Sequence, residues 1–229
     1  MRQVFRKEVK YRVHISDFLR IRDRLAAFMT PDPHGVAGTG TYTVRSLYFD
    51  SIADRDLHDN LEGATEKRKI RIRTYDTESD FALLEYKCKS VADSRKISLV
   101  ISRQEAMRLE DGDYELLLER EEELATFLYY KITKGVYRPR TIVEYERTAF
   151  LYPVSDVRIT YDHNIMGSIS QHGLYEPGIQ MYRLIPQDYG VLEVKYNDFL
   201  VSPLQRILSV LDVMPEANSK YSSARLLTY

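Results

Sequence analysis

The feature that most constrains this chain is a recurrent alternation of apolar and charged residues along the sequence. Within residues 3–14, for example, Val9 and Val13 alternate with Glu8 and Lys10. Successive side chains of a β-strand point to opposite faces, so this pattern predicts a strand with one apolar and one charged face. A chain that repeats the pattern is expected to fold around a sheet whose apolar faces are covered by a core.

The alternation predicts eight main strands separated by helices. The strands are predicted over residues 3–14, 43–50, 67–75, 81–89, 96–101, 139–152, 156–165 and 190–197, with a short further piece at 168–172. Helices are predicted over 16–28, 52–60, 102–109 and 202–211, and as a solvated acidic pair that continues through 124–133; turns are predicted at 93–94 and after 219–221. Ser16 is predicted to cap the first helix, and Ser102 and Glu105 to form a capping box. This order, without repeat or linker, predicts one α+β domain over residues 1–229.

Composition and spacing exclude several classes of protein. No apolar run approaches the roughly 18 residues that a membrane-spanning helix needs, and the charged N-terminal stretch has no signal-peptide core. Cys88 is the single cysteine, so it can form neither an intramolecular disulfide nor a thiolate zinc site. These features predict a cytoplasmic protein with no membrane insertion of its own.

The charged strand faces carry mainly lysine and arginine. The basic residues predicted on these faces are Lys10, Arg71, Arg73, Lys87, Lys96, Arg147, Arg158, Lys195 and Lys220, and the carboxylates that share them are Glu8, Glu85 and Glu193. The chain as a whole is nearly neutral, with 33 Lys+Arg against 34 Asp+Glu. Positive charge is therefore concentrated on strand faces, while residues 105–123 hold nine acidic and two basic residues.

If the strands closed into a barrel with the charged faces inward, the lumen would be a cationic tunnel. Such a cluster requires water or a bound anion, because unpaired buried charges are costly. Arginine suits phosphate oxygens and lysine supplies a compact charge. One or two glutamates could hold a divalent cation whose shell is completed by substrate phosphates. These are the components that phosphoryl transfer requires.

Each of these sequence features, taken alone, has a simpler interpretation. A basic strand face is most often exposed to solvent, and Glu85 with Lys87, or Glu193 with Lys195, is most often a surface ion pair. The stretch 68–73 could protect a sheet edge or bind nucleic acid. Nucleic-acid binding is disfavoured because few aromatic residues share the basic faces. The recurrence of the pattern in six or seven strands favours an anion site.

The ordered motifs resemble the VTC domain of the triphosphate tunnel metalloenzyme (CYTH-like) superfamily, over about residues 3–226. The matching motifs are Glu8-Val9-Lys10-Tyr11, Tyr48-Phe49-Asp50, Arg71-Ile72-Arg73, Leu84-Glu85-Tyr86-Lys87, Arg95-Lys96, Glu146-Arg147, Arg158-Ile159-Thr160-Tyr161-Asp162, Leu192-Glu193-Val194-Lys195-Tyr196 and Ser219-Lys220-Tyr221. The resemblance implies an eight-stranded antiparallel β-barrel, a triphosphate tunnel, with flanking α-helices. It also implies a divalent metal, Mn²⁺ or Mg²⁺, and triphosphate or polyphosphate ligands.

The resemblance also implies roles for individual residues. Phosphate would be held by Lys10, Arg71, Arg73, Lys87, Lys96, Arg147, Arg158, Lys195 and Lys220. Of these, the catalytic centre would contain Lys10, Arg71, Arg73, Lys87 and Lys195, with Lys195 orienting the transferred group. Glu193 would ligate the metal, and Glu8 is the weaker candidate for a second ligand.

One departure from the superfamily bears on the reaction. The hydrolytic branch opens with Glu-x-Glu-x-Lys, whereas Arg6 stands here where the first Glu would be. Loss of that carboxylate weakens the case for two-metal activation of water. It favours synthesis of inorganic polyphosphate from ATP, as in eukaryotic members of the VTC branch, over hydrolysis by a triphosphatase.

The sequence leaves one further function and one partner to consider. The domain could be a non-catalytic module that binds polyphosphate or nucleotides, although a retained Glu193 among phosphates disfavours that. The family also suggests a separately encoded membrane partner that would hold the protein at a membrane and take the chain as it emerges.

Overall fold

The computed structural model describes residues 6–90 and 94–228, with side chains described for 7–90 and 95–227. In these ranges the strands are β1 (Arg6–His14), β2 (Thr30–Pro31), β3 (Thr41–Ser51), β4 (Lys67–Thr74), β5 (Phe81–Lys89), β6 (Ser94–Ser102), β7 (Tyr137–Tyr152), β8 (Val157–Ser168), β9 (Tyr182–Arg183) and β10 (Tyr189–Asn197). The helices are α1 (Ile15–Phe28), α2 (Arg55–Leu61), α3 (Arg103–Glu110), α4 (Glu123–Lys134), α5 (Ser202–Leu208) and α6 (Lys220–Arg225). Short 3₁₀ turns cover Glu115–Leu118, Val154–Asp156 and Leu226–Thr228.

Eight long strands form one antiparallel sheet in the order β1-β10-β8-β7-β3-β4-β5-β6. The two-residue strands β2 and β9 add to β7 and β8. The predicted α+β class and the antiparallel sheet are therefore confirmed. The predicted closure is wrong: β1 and β6 end the order, and no pairing among the described residues joins them.

The chain divides into two compact units, and each has its own apolar core. Unit 1 comprises Met1–Thr43, Tyr145–Ile165 and Ile185–Asn218; unit 2 comprises Val44–Glu144, Met166–Leu184 and Ser219–Tyr229. Strands β3, β7 and β8 contribute residues to both units. The single domain over 1–229 stays a prediction.

In unit 1, α1 covers the apolar face of the strands. Phe18, Ile21 and Leu25 recur at helical spacing and are buried. The ring of Phe18 stacks on Tyr161 of β8 at a centroid distance of 4.0 Å. A side chain at residue 190 would collide with the Tyr161 ring, since a Cβ on Gly190 would lie 2.4 Å from Tyr161 Cζ. The apolar face is thus fixed against α1, and the charged residues of β1 and β10 point away from this core.

In unit 2, α3 and α4 cover the apolar face in the same way. The core residues of β4 and β5 are Ile70, Ile72 and Leu84, which pack in one cluster with Leu109 of α3 and Leu128 of α4. The alternating residues of both strands therefore point to the opposite face. That face carries Arg71, Arg73 and Lys87.

Most predicted strands are confirmed to within a few residues, and the exceptions lie at chain termini and short elements. Residues 3–5 of the first predicted strand, and Asp93 of a predicted turn, lie outside the described residues. The short strand predicted at 168–172 is wrong, since β8 ends at Ser168. The chain after Ser219 forms the helix α6 instead of the predicted turn, with Ser219 as its N-cap.

Three helix predictions also need correction. His14, not Ser16, caps α1, because the imidazole of His14 accepts the backbone N–H of Ser16. The helices predicted at 52–60 and 202–211 are α2 and the shorter α5. The acidic segment is not a solvated helix pair throughout: Glu110 is buried and accepts the backbone N–H groups of Gly173 and Leu174.

The predicted capping box of α3 is confirmed. The Ser102 side chain accepts the backbone N–H of Glu105, and the Glu105 carboxylate accepts the backbone N–H of Ser102. No described helix combines the length and the apolar character needed to cross a membrane.

Candidate functional site

The charged face of unit 1 holds a cluster of two glutamates and two lysines from β1 and β10, which we call the Glu193 cluster: Glu8, Lys10, Glu193 and Lys195. The strand register places Lys10 opposite Glu193 and Glu8 opposite Lys195. Lys195 Nζ lies 2.6 Å from Glu193 Oε1, and Lys10 Nζ lies 3.5 Å from Glu193 Oε2. Lys10 Nζ is also 3.3 Å from Glu8 Oε1, so the four groups form one network.

Burial and charge act in opposite directions on this cluster. The Glu193 side chain is 10% exposed, and burial by itself would raise the pKa of its carboxyl. The charges of Lys195 and Lys10 outweigh burial and hold that pKa below its usual range. Burial would conversely lower the pKa of Lys10, but Glu193 and Glu8 raise it overall. Glu193 and Lys10 therefore both stay ionised at neutral pH.

The neighbouring strands continue this charged face. Across β10 and β8, Thr160 lies opposite Glu193 and Arg158 lies opposite Lys195. The guanidinium of Arg158 donates to Asp32 Oδ2 at 2.8 Å and to the Tyr42 hydroxyl at 2.9 Å.

Arg147 of β7 is held in a two-pronged pair. It donates to both carboxylate oxygens of Asp162, at 2.7 and 2.9 Å. Although burial opposes its charge, Asp162 raises the pKa of Arg147 well above the usual value. The pair fixes the guanidinium geometry, which is the requirement for bidentate anion recognition.

The charged face of unit 2 is centred on one buried carboxylate. The Glu85 cluster comprises Arg71, Arg73, Glu85 and Lys96, from β4, β5 and β6. Glu85, whose side chain is 2% exposed, lies 2.7 Å from Arg71 Nε, 3.3 Å from Arg73 Nη2 and 2.6 Å from Lys96 Nζ. Burial would raise the pKa of Glu85, but Arg71 and Lys96 lower it overall. One carboxylate thus holds three cations together.

A row of three lysines crosses the same face beside this cluster. The register pairs Lys69 with Lys87 across β4 and β5, and Lys87 with Lys96 across β5 and β6. Like charges directly opposite one another in a sheet are destabilising. Along β4, β5 and β6, the five cations Lys69, Arg71, Arg73, Lys87 and Lys96 share this surface with the carboxylate of Glu85. Such an arrangement is typical of a surface that binds a polyanion.

The start of α6 and strand β3 each bring one further polar group to this surface. Lys69 Nζ donates to Ser219 Oγ at 3.1 Å, and Arg71 donates to the Tyr48 hydroxyl at 2.8 Å. Although burial would raise the pKa of Tyr48, Arg71, Lys69 and Lys220 lower it overall, which places Lys220 within electrostatic reach of that hydroxyl.

The structure tests which residues could hold a divalent metal. Among the described residues, no group of three or more His, Cys, Asp or Glu side chains could hold one unaided. Glu193 and Glu8, however, are both within 3.5 Å of Lys10 Nζ, so their carboxylates converge. Two carboxylates that need substrate phosphates to complete a shell suit Mg²⁺ or Mn²⁺. These residues fit a cation that binds together with a phosphate ligand.

The residues predicted for the site fall into two groups. Unit 1 holds Glu8, Lys10, Arg147, Arg158, Glu193 and Lys195; unit 2 holds Arg71, Arg73, Lys87, Lys96 and Lys220. Sequence reasoning missed Lys69, which shares the alternating face of β4 and could have been found by extending it. It also missed Tyr48, Thr160 and Ser219, which lie inside the quoted motifs but are not charged.

An antiparallel sheet that presents clustered lysine and arginine around isolated carboxylates defines a class of anion-binding α+β proteins. The family follows from the sequence: the model of the VTC domain matches residues 5–229, and the chain belongs to this family. Membership supports catalysis on triphosphates at a general level, within the triphosphate tunnel (CYTH-like) superfamily.

Comparison with solved structures supports the fold. A Bacillus halodurans protein provisionally described as an adenylate cyclase is 15% identical, with 93% of this chain and 92% of that chain covered and a TM-score of 0.55. The PH1819 protein of Pyrococcus horikoshii is 15% identical over 97% of this chain and 100% of that one, with a TM-score of 0.44. The first likeness shows a shared fold. Comparison with curated proteins gives no match.

Proposed function

We propose that this protein catalyses metal-dependent phosphoryl transfer and synthesises inorganic polyphosphate from ATP. The observation that most directly supports this proposal is the row of three lysines, Lys69, Lys87 and Lys96. A row of like charges is stabilised when an anion of matching length binds along it. Membership of the VTC family favours a triphosphate or polyphosphate as that anion.

In the proposed reaction, cationic side chains hold the phosphate chain and neutralise its charge. Arg71, Arg73, Lys87, Lys96 and Lys220 would bind phosphate in unit 2. Lys10, Arg147, Arg158 and Lys195 would do so in unit 1. An oxygen of the acceptor's terminal phosphate attacks the γ-phosphorus of ATP, and the bond from that phosphorus to the β–γ bridging oxygen breaks, which releases ADP. Fixed cations stabilise charge that spreads over the transferred group.

The carboxylates have a separate proposed role. Glu193, with Glu8 as the weaker partner, would hold Mn²⁺ or Mg²⁺ together with substrate phosphates. The cation supplies further neutralisation of the triphosphate when it is bound. Until then, Lys10 and Lys195 neutralise Glu193, so the site keeps this carboxylate ionised and oriented.

A triphosphatase is the second candidate function. The two differ in the acceptor, which is water in hydrolysis and a phosphate in synthesis. Arg6 stands where hydrolytic relatives in the superfamily carry a glutamate, which favours a phosphate acceptor. A cytoplasmic location, where ATP is available, and a separately encoded membrane partner that receives the product belong to the same proposal.

The test is incubation of purified protein with ATP and Mn²⁺, with products resolved by gel electrophoresis and phosphorus NMR. We expect phosphate chains and ADP, and we expect Glu193→Gln to lower the rate by about 100-fold or more while ATP binding is kept. Glu146→Gln is the matched control, because Glu146 is a partly exposed glutamate on β7 bonded to Asn164. Orthophosphate without chains would identify a triphosphatase, and binding without any turnover would identify a binding module.

A further inference from the structure

A second basic surface lies on the opposite side of β4 and β5 from the Glu85 cluster. Residues Ile70 and Tyr86 alternate with Arg71 and Glu85, so they face the other side of the sheet. There, a cavity of about 370 Å³ opens among β4, α2 and α4, with Ile70, Tyr86 and Tyr137 in its lining. None of the residues predicted to bind phosphate lines this cavity.

The rim of this cavity is strongly basic. Four cations contribute to it: Arg55 from α2, Arg68 from β4, and Lys131 and Lys134 from α4. Two of these cations have carboxylate partners: Arg68 pairs with Glu66 of the lining at 3.2 Å, and Arg55 pairs with Asp59 of its own helix at 3.9 Å. Within the described part of the chain, Lys131 and Lys134 make no ion pair. The cavity therefore has an excess of positive charge.

An adjoining cavity extends the surface along β5. Its volume is about 230 Å³, and it shares Glu66, Tyr86 and Lys131 with the first cavity. It adds one more cation, Arg95, whose guanidinium lies 5.2 Å from the centre of the Phe127 ring. The two cavities share part of their lining, and together we call them the α4 groove.

Aromatic rings hold the α4 groove cations in place. Lys131 Nζ lies 5.7 Å from the centre of the Tyr86 ring and 5.1 Å from that of Phe127. Such cation–π contacts orient a lysine without neutralising its charge. Lysines in the last turn of a helix often serve only its dipole, which would account for Lys131 and Lys134. The helix dipole does not account for Arg55, Arg68 and Arg95, because these residues belong to α2, β4 and β6 and still line the same groove.

We propose that the α4 groove is a second anion site that binds a phosphate chain, separate from the proposed phosphoryl-transfer site. The larger cavity lies in the range of volumes, roughly 300–1,000 Å³, that small-molecule sites occupy. Arginine and lysine line both cavities, which suits an extended anion better than a single phosphate. Tyr130, which is 61% exposed at the rim, offers a ring on which a nucleotide base could stack.

The experiment is isothermal titration of the full-length protein with tripolyphosphate and, separately, with ATP, in EDTA. We expect two binding events per chain in wild type. The double variant Lys131→Ala/Lys134→Ala should weaken one event by at least about tenfold and leave polyphosphate synthesis from ATP intact. Arg20→Ala/Arg24→Ala on α1 removes the same formal charge from an exposed surface and should leave both events unchanged. Lys10→Ala should weaken the other event, which distinguishes the two sites.

The comparison of probes identifies the ligand. Equal affinity for tripolyphosphate and ATP at the α4 groove assigns the phosphate chain alone. Tighter ATP binding that Tyr130→Ala abolishes assigns a nucleotide. If Lys131→Ala/Lys134→Ala binds both probes as wild type does, the α4 groove is not an anion site, whatever the outcome at the Glu193 cluster.

Discussion

At the scale of single residues, the two buried glutamates explain how so many cations are kept on one sheet. Glu85 and Glu193 are each held below their usual pKa by adjacent cations, in spite of burial. A buried pair of this kind is weak evidence for net stability, because desolvation offsets much of the attraction. Its value is in placement, since each carboxylate orients the guanidinium or ammonium groups of its own cluster.

We expect Glu85→Gln to destabilise the protein by about 3–5 kcal/mol, because it leaves the buried or half-buried cations Arg71 and Arg73 around a neutral amide. Urea unfolding at pH 7 measures the change. Glu66→Gln is the control, since Glu66 is 54% exposed and the loss of its surface ion pair with Arg68 should change the free energy of unfolding far less. Equal losses for the two variants would contradict the central role of Glu85.

Substitution of Thr160, unlike that of Glu85, is expected not to destabilise the protein. Its hydroxyl is buried and has no hydrogen-bond partner among the described residues. Because an apolar group of the same shape carries no such penalty, Thr160→Val should leave the free energy of unfolding unchanged or raise it by about 1 kcal/mol. Thr141→Val is the matched control: Thr141 donates to the Ser168 carbonyl at 2.6 Å, and its loss should cost about 1 kcal/mol or more. A destabilised Thr160→Val would show that its hydroxyl has a partner.

Single residues also mark the limit of prediction from sequence. Alternation alone placed Arg71, Glu85 and Lys96 on charged faces, and the structure brings them together. It could not pair Arg147 with Asp162 or Arg158 with Asp32, because those contacts depend on which strands are neighbours. Uncharged members of the surface, such as Tyr48 and Thr160, carry no sequence signal beyond their neighbours.

At the scale of elements, strands were predicted well because a half-buried strand has a strict period of two. The short helix α6 was not predicted. The six residues of α6 contain no apolar stripe, so their conformation depends on tertiary contacts. Two contacts supply them: Tyr221 donates to Asp50, and Arg225 donates to both oxygens of Asp54, at 2.9 and 2.8 Å.

The carboxylate of Asp50 contacts two helices, so variants of Asp50 and of its partner Tyr221 should destabilise the protein to different extents. It accepts the backbone N–H groups of Asp56 and Leu57 at the start of α2, at 2.9 and 3.0 Å, as well as the hydroxyl of Tyr221. Asp50→Asn places an amide donor among these donors and should cost about 2–4 kcal/mol, whereas Tyr221→Phe removes one bond and should cost about 1 kcal/mol.

Urea unfolding and amide hydrogen exchange separate the two Asp50 effects. Tyr221→Phe should speed exchange within residues 220–225 and leave 55–61 protected, while Asp50→Asn should speed exchange in both. Protection of both helices in Asp50→Asn would show that the carboxylate does not join them.

At the scale of the whole molecule, the balance of 33 positive against 34 negative residues conceals a segregation. Basic residues gather on the charged faces of the strands and along the α4 groove. Acidic residues gather in 105–123, where Arg120 pairs with Glu105 and Glu122. The same alternation could not predict whether the sheet closes into a barrel. Closure would need pairing between β1 and β6, and local alternation does not encode pairing between strands so far apart in sequence.

The dependence of stability on pH is also a property of the whole molecule, and Asp56 is expected to dominate it near neutrality. Burial, with a smaller effect from Asp50, raises the pKa of Asp56 to about 7, although Tyr137 donates to its carboxylate. The unfolded chain has the ordinary value of about 3.9. Between these values the folded state binds the extra proton, so stability falls as pH rises from about 4 to 7, by up to about 1.4 kcal/mol per pH unit.

Asp56→Asn keeps an acceptor for Tyr137 and removes the titration. We expect urea unfolding between pH 5 and 7 to show a shallower decline in this variant than in wild type, so that the difference in stability changes steadily in favour of the variant as pH rises. Asp23→Asn is the control, since Asp23 lies on α1 with its side chain 80% exposed, and this variant should follow the wild-type slope. If wild type and Asp56→Asn lose stability in parallel across this window, Asp56 is ionised in the folded protein throughout, and the decline has another source.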